Sequence, residues 1–356
     1  MSIRDASFFK KCEDKVISLA ESAFKKNTLE MRDDGIAKAL IRMKRELEII
    51  INNGFSYEFY LLKVIVEHAL FKNKLIVISG QISYSYIAYL LGISTIDPLE
   101  RNYEVEMLLG FQHDRNPSML IYAASDYKDS LIEFLKGIFG KDMISADDLS
   151  IILGKQTDNY DYMSIGFIES GLVKLSEGII PAGISNPQST FAEVKSRIFC
   201  SHYPSGKIPR ENIVSVIKML LWLINNEEQD PSDKLECFAI FDGTYEGLLQ
   251  GLAAIHGTGI VGTELRDSDN NRILTRDDFY RLGVSLFGNE KDAYYFMTQI
   301  RKGRGSDSRY QDILENYGVP YDIRNKLKSV HYTVSEGSLI SEAQLILYTG
   351  SMLFNS

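Results

Sequence analysis

The chain has 356 residues, 45% hydrophobic and 24% charged, with a formal net charge of −9 and a pI near 5.2. That composition supports a buried core, and length alone suggests two domains or one elaborate one. The acidic balance excludes a surface coated in basic residues for non-specific DNA binding, while a local basic groove depends on where Lys and Arg sit rather than on their total. No apolar run is long enough to span a bilayer, and the opening MSIRDASFFKKCEDK is too polar for a signal peptide. Cys12, Cys200 and Cys237 form no CxxC, which supports neither a disulfide framework nor a zinc ribbon. A cytoplasmic chain with no membrane partner is expected.

In chain order, residues 7–50 read as helix. Ile36, Leu40, Met43, Leu47 and Ile50 recur at three- and four-residue steps with charges between them, and Asn52-Asn53-Gly54 stops the run. Tyr57–Phe71 is a second apolar helix. Lys74–Ser79 is a short β-branched run ending at Gly80, which predicts a buried strand, and Ser83–Leu91 predicts a helix. Met119–Ala123 is another strand, and Lys128–Gly140 an amphipathic helix. Asp158–Ser205 is rich in Gly, Pro and Ser, with strand candidates at GLVKL and GIIPA. Helices are predicted at 213–225, 245–255, 276–287, 290–302, 308–316, 320–330 and 338–353. The polar stretch Asn225–Asp233, which carries Pro231, is the best boundary. The expected organisation is a helical lead-in over 1–35, a mixed α/β domain over 36–228 and a helical domain over 229–356.

Four stretches, in order, resemble the PolC-type bacterial DNA polymerase III α subunit. They are RMKRELEIIINNGFSYEFYLLKVIVEHAL (42–70), KLIVISGQISYSYIAYLLGISTIDPLERNY (74–103), LLGFQHDRNPSMLIYAAS (108–125) and a C-terminal set. That set comprises LLQGLAAIHGTGIVG (248–262) and FMTQIRKGRGSDSRYQDILENYGVPYDIRNKLKSVHY (296–332). The resemblance implies an α/β palm of the nucleotidyltransferase kind followed by an all-helical, fingers-like subdomain. The family's PHP, exonuclease, helix-hairpin-helix and OB regions have no counterpart in these stretches.

Nucleotidyl transfer needs two divalent metals, and magnesium demands hard oxygen ligands, which polymerases supply as carboxylates on adjacent strands. The family's catalytic strand carries two aspartates in alternation, so that both face one way. Here Ser118 and Leu120 stand at those two positions, and Ala192 stands at the third family aspartate. Glu193, Asp158 and Asp161 are the weak substitutes for a metal site. The family's serine-arginine-glycine turn, which contacts triphosphate, reads Ser79-Gly80-Gln81, and its fingers lysine and histidine are lost at Ser335–Leu339. The resemblance therefore implies a catalytically inactive polymerase relative with no cofactor.

The surviving candidates for DNA or nucleotide binding are Gly80, Gln81, His256, Thr258, Arg301, Lys302 and Arg304. Arg301–Gly305 is a basic, glycine-flanked turn suited to phosphate, although cations at a helix C-terminus also favour the dipole. His256-Gly257-Thr258 serves equally well as an interhelical turn, and His68 as a packing residue. Asp267–Asp278 imitates a calcium loop, with Arg272 where glycine is needed. The leading expectation is a protein acting by binding DNA, replication proteins or a host polymerase. One alternative is an active nucleotidyltransferase using magnesium with relocated carboxylates. Another is an interaction or phage-defence module without nucleic acid, which the acidic balance favours over DNA binding.

Overall fold

The computed structural model describes residues 6–29, 31–74, 76–109, 119–124, 127–139, 150–154, 160–168, 253, 258–267 and 270–341. The chain divides into two compact units, Met1–Glu169 and Ser170–Ser356. The boundary expected near 228 lies outside the described residues.

The first unit opens with α1 (Ala6–Asn27), α2 (Asp33–Asn52) and α3 (Ser56–Phe71). Sequence periodicity predicts one helix over residues 7–50, but the chain breaks between Asn27 and Asp33. Arg32 is extended there (φ −76°, ψ 157°), and Asp33 and Asp34 fill the first turn of α2, where carboxylates meet the positive end of the helix dipole. On α1, Cys12, Val16, Ala20 and Phe24 recur every fourth residue and are all buried. Met43, Leu47 and Ile50 are buried on α2, as the spacing predicts. The stop holds at Gly54, whose φ of +72° is a left-handed conformation that glycine adopts without strain. α3 buries Phe59, Leu61, Leu62, Ile65, Val66 and Ala69.

β1 (Ile76–Gly80) leads into a 3₁₀ turn, Gln81–Tyr84, and α4 (Tyr86–Leu90). The single helix predicted over Ser83–Leu91 is divided at Ser85, which is extended and caps α4 by accepting from the Ala88 N–H (3.0 Å). α5 (Glu106–Leu109), β2 (Met119–Ala124), α6 (Lys128–Phe139), β3 (Ser150–Gly154) and β4 (Tyr160–Ile168) complete the described part of this unit. The strands form a sheet in the order β1-β2-β4-β3. β1 and β2 are antiparallel, β2 and β4 parallel, and β3 and β4 antiparallel. Within the loop-rich stretch predicted after Asp158, residues 160–168 form a strand, while GLVKL and GIIPA lie outside the described residues.

In the second unit the described helices are α7 (Arg276–Phe287), α8 (Glu290–Arg301), α9 (Ser308–Asn316) and α10 (Tyr321–Leu327). Their bounds match the spacing-based expectation closely. α7 starts at a reciprocal capping box between Thr275 and Asp278 and ends at Gly288, whose φ is +68°. Phe279 and Leu282 of α7 meet Ala293, Phe296, Met297 and Ile300 of α8 in a buried seam. A further helical turn begins at 336 and runs to the last described residue, 341.

Candidate functional site

The strand pair named by sequence is formed. Ser79 lies opposite Leu120, and Gly80 opposite Met119. The register continues from Leu120 to Ser164 on β4 and from Ser164 to Ser150 on β3. The row through the second expected aspartate position therefore reads Ser79, Leu120, Ser164, Ser150, with no carboxylate in it. Asp161 pairs with Leu153, three positions before Ser164. Ser118, Asp158, Ala192 and Glu193 lie outside the described residues.

Gly80 closes β1 with φ 97° and ψ −157°, a backbone shape open essentially to glycine. The turn that follows is sealed. Ile82, Ser83, Tyr84 and Ser85 are fully buried. Gln81 Nε2 reaches toward the Met107 carbonyl at 3.4 Å, and Ser83 Oγ donates to the Gly80 carbonyl (2.8 Å).

Beneath the turn sits a polar hub that sequence reasoning did not single out. The fully buried Glu46 carboxylate accepts from Arg42 Nε (2.5 Å), Ser85 Oγ (2.7 Å), Tyr86 N–H (2.9 Å) and Ile87 N–H (3.0 Å). The Arg42 guanidinium also donates to the Tyr103 carbonyl (2.5 Å) and the Tyr84 carbonyl (2.8 Å). One turn along α2, Arg45 pairs with the buried Glu106 of α5. The signal in the sequence was Arg42 and Glu46 at the i, i+4 spacing, with Glu46 among apolar neighbours. Sequence could not supply Tyr84 and Tyr103 as partners. Burial and the carboxylates of Asp97 and Glu46, with Tyr89 nearby, push the Tyr86 hydroxyl well above the usual tyrosine range; burial raises Asp97 as well.

In the second unit the Arg301–Gly305 turn links α8 to α9. Lys302 caps α8, and Gly303 follows with φ +70°. Lys302 and Arg304 are exposed and Arg301 is half-buried; Arg304 donates to Gln299 Oε1 (2.8 Å). The two glycines are close-packed against the end of α10 and the segment after it. A Cβ on Gly303 would lie 2.3 Å from the His331 carbonyl oxygen, and one on Gly305 would lie 2.0 Å from that of Leu327. Thr258 is fully buried, and its hydroxyl donates to the Ala253 carbonyl (3.0 Å), so this candidate is engaged inside the protein. Its carbonyl accepts from the His331 N–H (2.9 Å), and Gly259 packs on the Ser329 carbonyl. His256 lies outside the described residues.

The loop imitating a calcium site is built differently. The Asp267 carboxylate accepts from the Asn271 N–H (2.8 Å) and side-chain amide (3.0 Å), closing a tight turn beside an Arg266–Arg272 bridge. Asp278 accepts from the Leu274 and Thr275 N–H groups and the Thr275 hydroxyl. Ser335 caps the turn beginning at 336 by accepting from the Ser338 N–H (3.1 Å), and the buried Asp277 accepts from the Glu336 N–H (2.8 Å). The stretch that departs from the family's lysine and histidine is thus packed onto α7.

A family model described as the bacterial DNA polymerase III alpha NTPase domain matches residues 14–151. Among relatives, DNA polymerase III subunit alpha of Aquifex aeolicus is 27% identical over 145 residues, covering 40% of this chain and 12% of that protein. A PolC-type DNA polymerase III of Caldanaerobacter subterraneus is 20% identical over 434 aligned residues, covering 86% of this chain and 31% of the relative. The PolC-type enzyme of Mycoplasma genitalium is 32% identical over 99 residues, 28% of this chain and 6% of the relative. The chain therefore spans less than a third of the length of any of these three proteins. The chain is thus similar, at low identity, to bacterial DNA polymerase III α subunits, the PolC type among them.

Proposed function

We propose that this chain is a polymerase-related protein that binds DNA or replication proteins without adding nucleotides, with residues 36–228 standing for a palm and 229–356 for fingers. The observation that carries this is the register row Ser79, Leu120, Ser164, Ser150. Two-metal catalysis needs carboxylates on neighbouring strands at that level, and hydroxyl and alkyl groups cannot hold Mg²⁺ with comparable strength. Asp161 pairs with Leu153, three positions along β4 from that row, which weighs against a carboxylate moved onto it. DNA would be held by the exposed cations of the Arg301–Arg304 turn, as a modulator or competitor of replication.

The test is primer extension and binding on one primer–template, with Mg²⁺ or Mn²⁺ and all four dNTPs. The expected result is salt-sensitive binding and no extension. EDTA-sensitive extension that survives stringent purification overturns the inactive reading. Absence of both activities moves the function to a protein partner.

A further inference from the structure

Three close-packed glycines of the second unit, Gly259, Gly303 and Gly305, do more than shape turns. Gly303 and Gly305 bring the Arg301–Arg304 turn into backbone contact with the Leu327–His331 segment, and Gly259 brings a third strand of chain against Ser329. A side chain at these positions would push the segments apart. From Arg301 to Tyr332 the chain carries seven Lys and Arg against four Asp and Glu, within a molecule of net charge −9. The contacts bring together two segments that carry cations: Arg301, Lys302 and Arg304 on one, and Lys326 and Lys328, with His331 after them, on the other. Lys302, Arg304, Lys328 and His331 are exposed. Lys326 is tethered to the Glu264 carbonyl (3.4 Å) at the edge of the same surface.

The acids of this stretch are partly turned to other work. The Asp307 carboxylate accepts from the Arg309 N–H (2.9 Å) as the cap of α9, and Glu315 pairs with Arg324 (3.1 Å). Tyr332, beside His331, is partly exposed and adds an aromatic face at the rim.

We propose that Lys326, Lys328 and His331 join the Arg301–Arg304 turn as a second phosphate-contacting row, making one surface for the phosphodiester backbone of DNA. This rests on the DNA-binding reading above and extends it to residues on a different segment. Two runs of cations joined side by side suit consecutive phosphates of a polymer better than the compact phosphates of one nucleotide. The shared chemistry is the phosphate oxyanion, so the polymer and the free nucleotide are separate arms of the test.

The experiment uses the full chain, a fluorescently labelled duplex and single strand, and dATP as competitor. The salt dependence of affinity is measured for the parent, Lys328→Gln, Lys326→Gln and Arg304→Gln. Each exposed lysine is expected to lower the slope of log affinity against log salt by about one, uniformly across sequences. Excess dATP is expected not to displace the oligonucleotide. Gly303→Ala keeps every charge but parts the two rows, so it should weaken binding; a melting curve on each variant separates this from unfolding. If Arg304→Gln weakens binding while both lysine variants match the parent, the second row is refuted and the DNA-binding reading survives. If no variant differs from the parent, or the parent does not bind, both fail. Full displacement by equimolar dATP assigns the surface to nucleotide instead and overturns the polymer proposal.

Discussion

Glu46 and Arg42 show how much a single pair can hold in this fold. The carboxylate is fully buried, and four donors converge on it, two of them backbone N–H groups at the start of α4. An isolated charge there would be very costly, and only the converging donors make it tolerable. Glu46→Ala removes the acceptor of Arg42 Nε, the Ser85 hydroxyl and two N–H groups, and leaves the Arg42 charge without its counter-ion. It should cost about 3–5 kcal/mol, the range for breaking a buried pair. Replacing both partners, as Arg42→Met with Glu46→Leu, removes the orphaned charge and should cost less than Glu46→Ala alone. Urea unfolding of the three proteins decides it, and equal or greater loss in the double variant would show that the pair does not act as a unit.

His68 makes a second prediction at the same scale. Its Nδ1 lies 2.5 Å from the Tyr127 hydroxyl, and its ring stacks on Phe134 at 3.7 Å. Burial, and then the Lys72 charge, hold the imidazole below its ordinary pKa, while burial pushes buried Tyr127 up to about 12. The neutral imidazole and the tyrosine hydroxyl therefore share a hydrogen bond. The unfolded chain binds a proton that the folded one resists, so this contribution to stability is present above about pH 6.5, the ordinary histidine value. It is lost as the pH falls from there through the lower folded value. Melting temperature measured from pH 8 to 5 should drop more steeply for the parent than for His68→Gln. Parallel curves would remove His68 from the account.

At the scale of elements, the helices were legible because burial imposes a period. Met43, Leu47 and Ile50 predicted one face of α2, and the bounds of α7, α8 and α9 followed from caps and glycines. The break between α1 and α2 was less visible, since its residues are ordinary helix formers and only Asp33 and Asp34 mark a new start. β1 and β2 were legible as short β-branched and apolar runs, and the resemblance implied their pairing. The Arg42–Glu46 hub was not, because its partners lie 42 and 61 residues from Arg42. The glycines of the Arg301–Gly305 turn illustrate the same limit. Sequence reads them as flexible or phosphate-binding, but close approach of backbone to backbone is what demands them. Gly318 provides the control, with φ +75° and open space where a Cβ would go. Gly318→Ala should cost only the strain of a left-handed alanine, about 1 kcal/mol. Gly305→Ala, built 2.0 Å from the Leu327 carbonyl oxygen, should cost clearly more because backbone must move. Thermal melts of the two variants test the ranking, and equal losses would mean that the approach is soft.

For the whole molecule, the proposed inactivity can be tested for whether it is one substitution deep. The resemblance puts the family's two strand aspartates at Ser118 and Leu120, two residues apart, and in a strand that spacing sets two carboxylates on one face, as two-metal sites require. Leu120 sits in register with Ser79 and Ser164, which can offer hydroxyls but no charge. By the resemblance, the Ser79-Gly80-Gln81 turn lacks the family's arginine, and Ala192 stands where the third carboxylate is expected. Two restored carboxylates would give a locus for one divalent ion, without the second ligand set or the cation that neutralises a triphosphate. The Ser118→Asp, Leu120→Asp double variant should therefore gain Mn²⁺ binding, read by paramagnetic broadening, and still extend no primer. Adding Ala192→Asp and Gln81→Arg is the next step, and extension appearing only then would place the loss across the whole site. Extension by the double variant alone would mean that the rest of the catalytic framework is intact and that inactivity resides in a single strand.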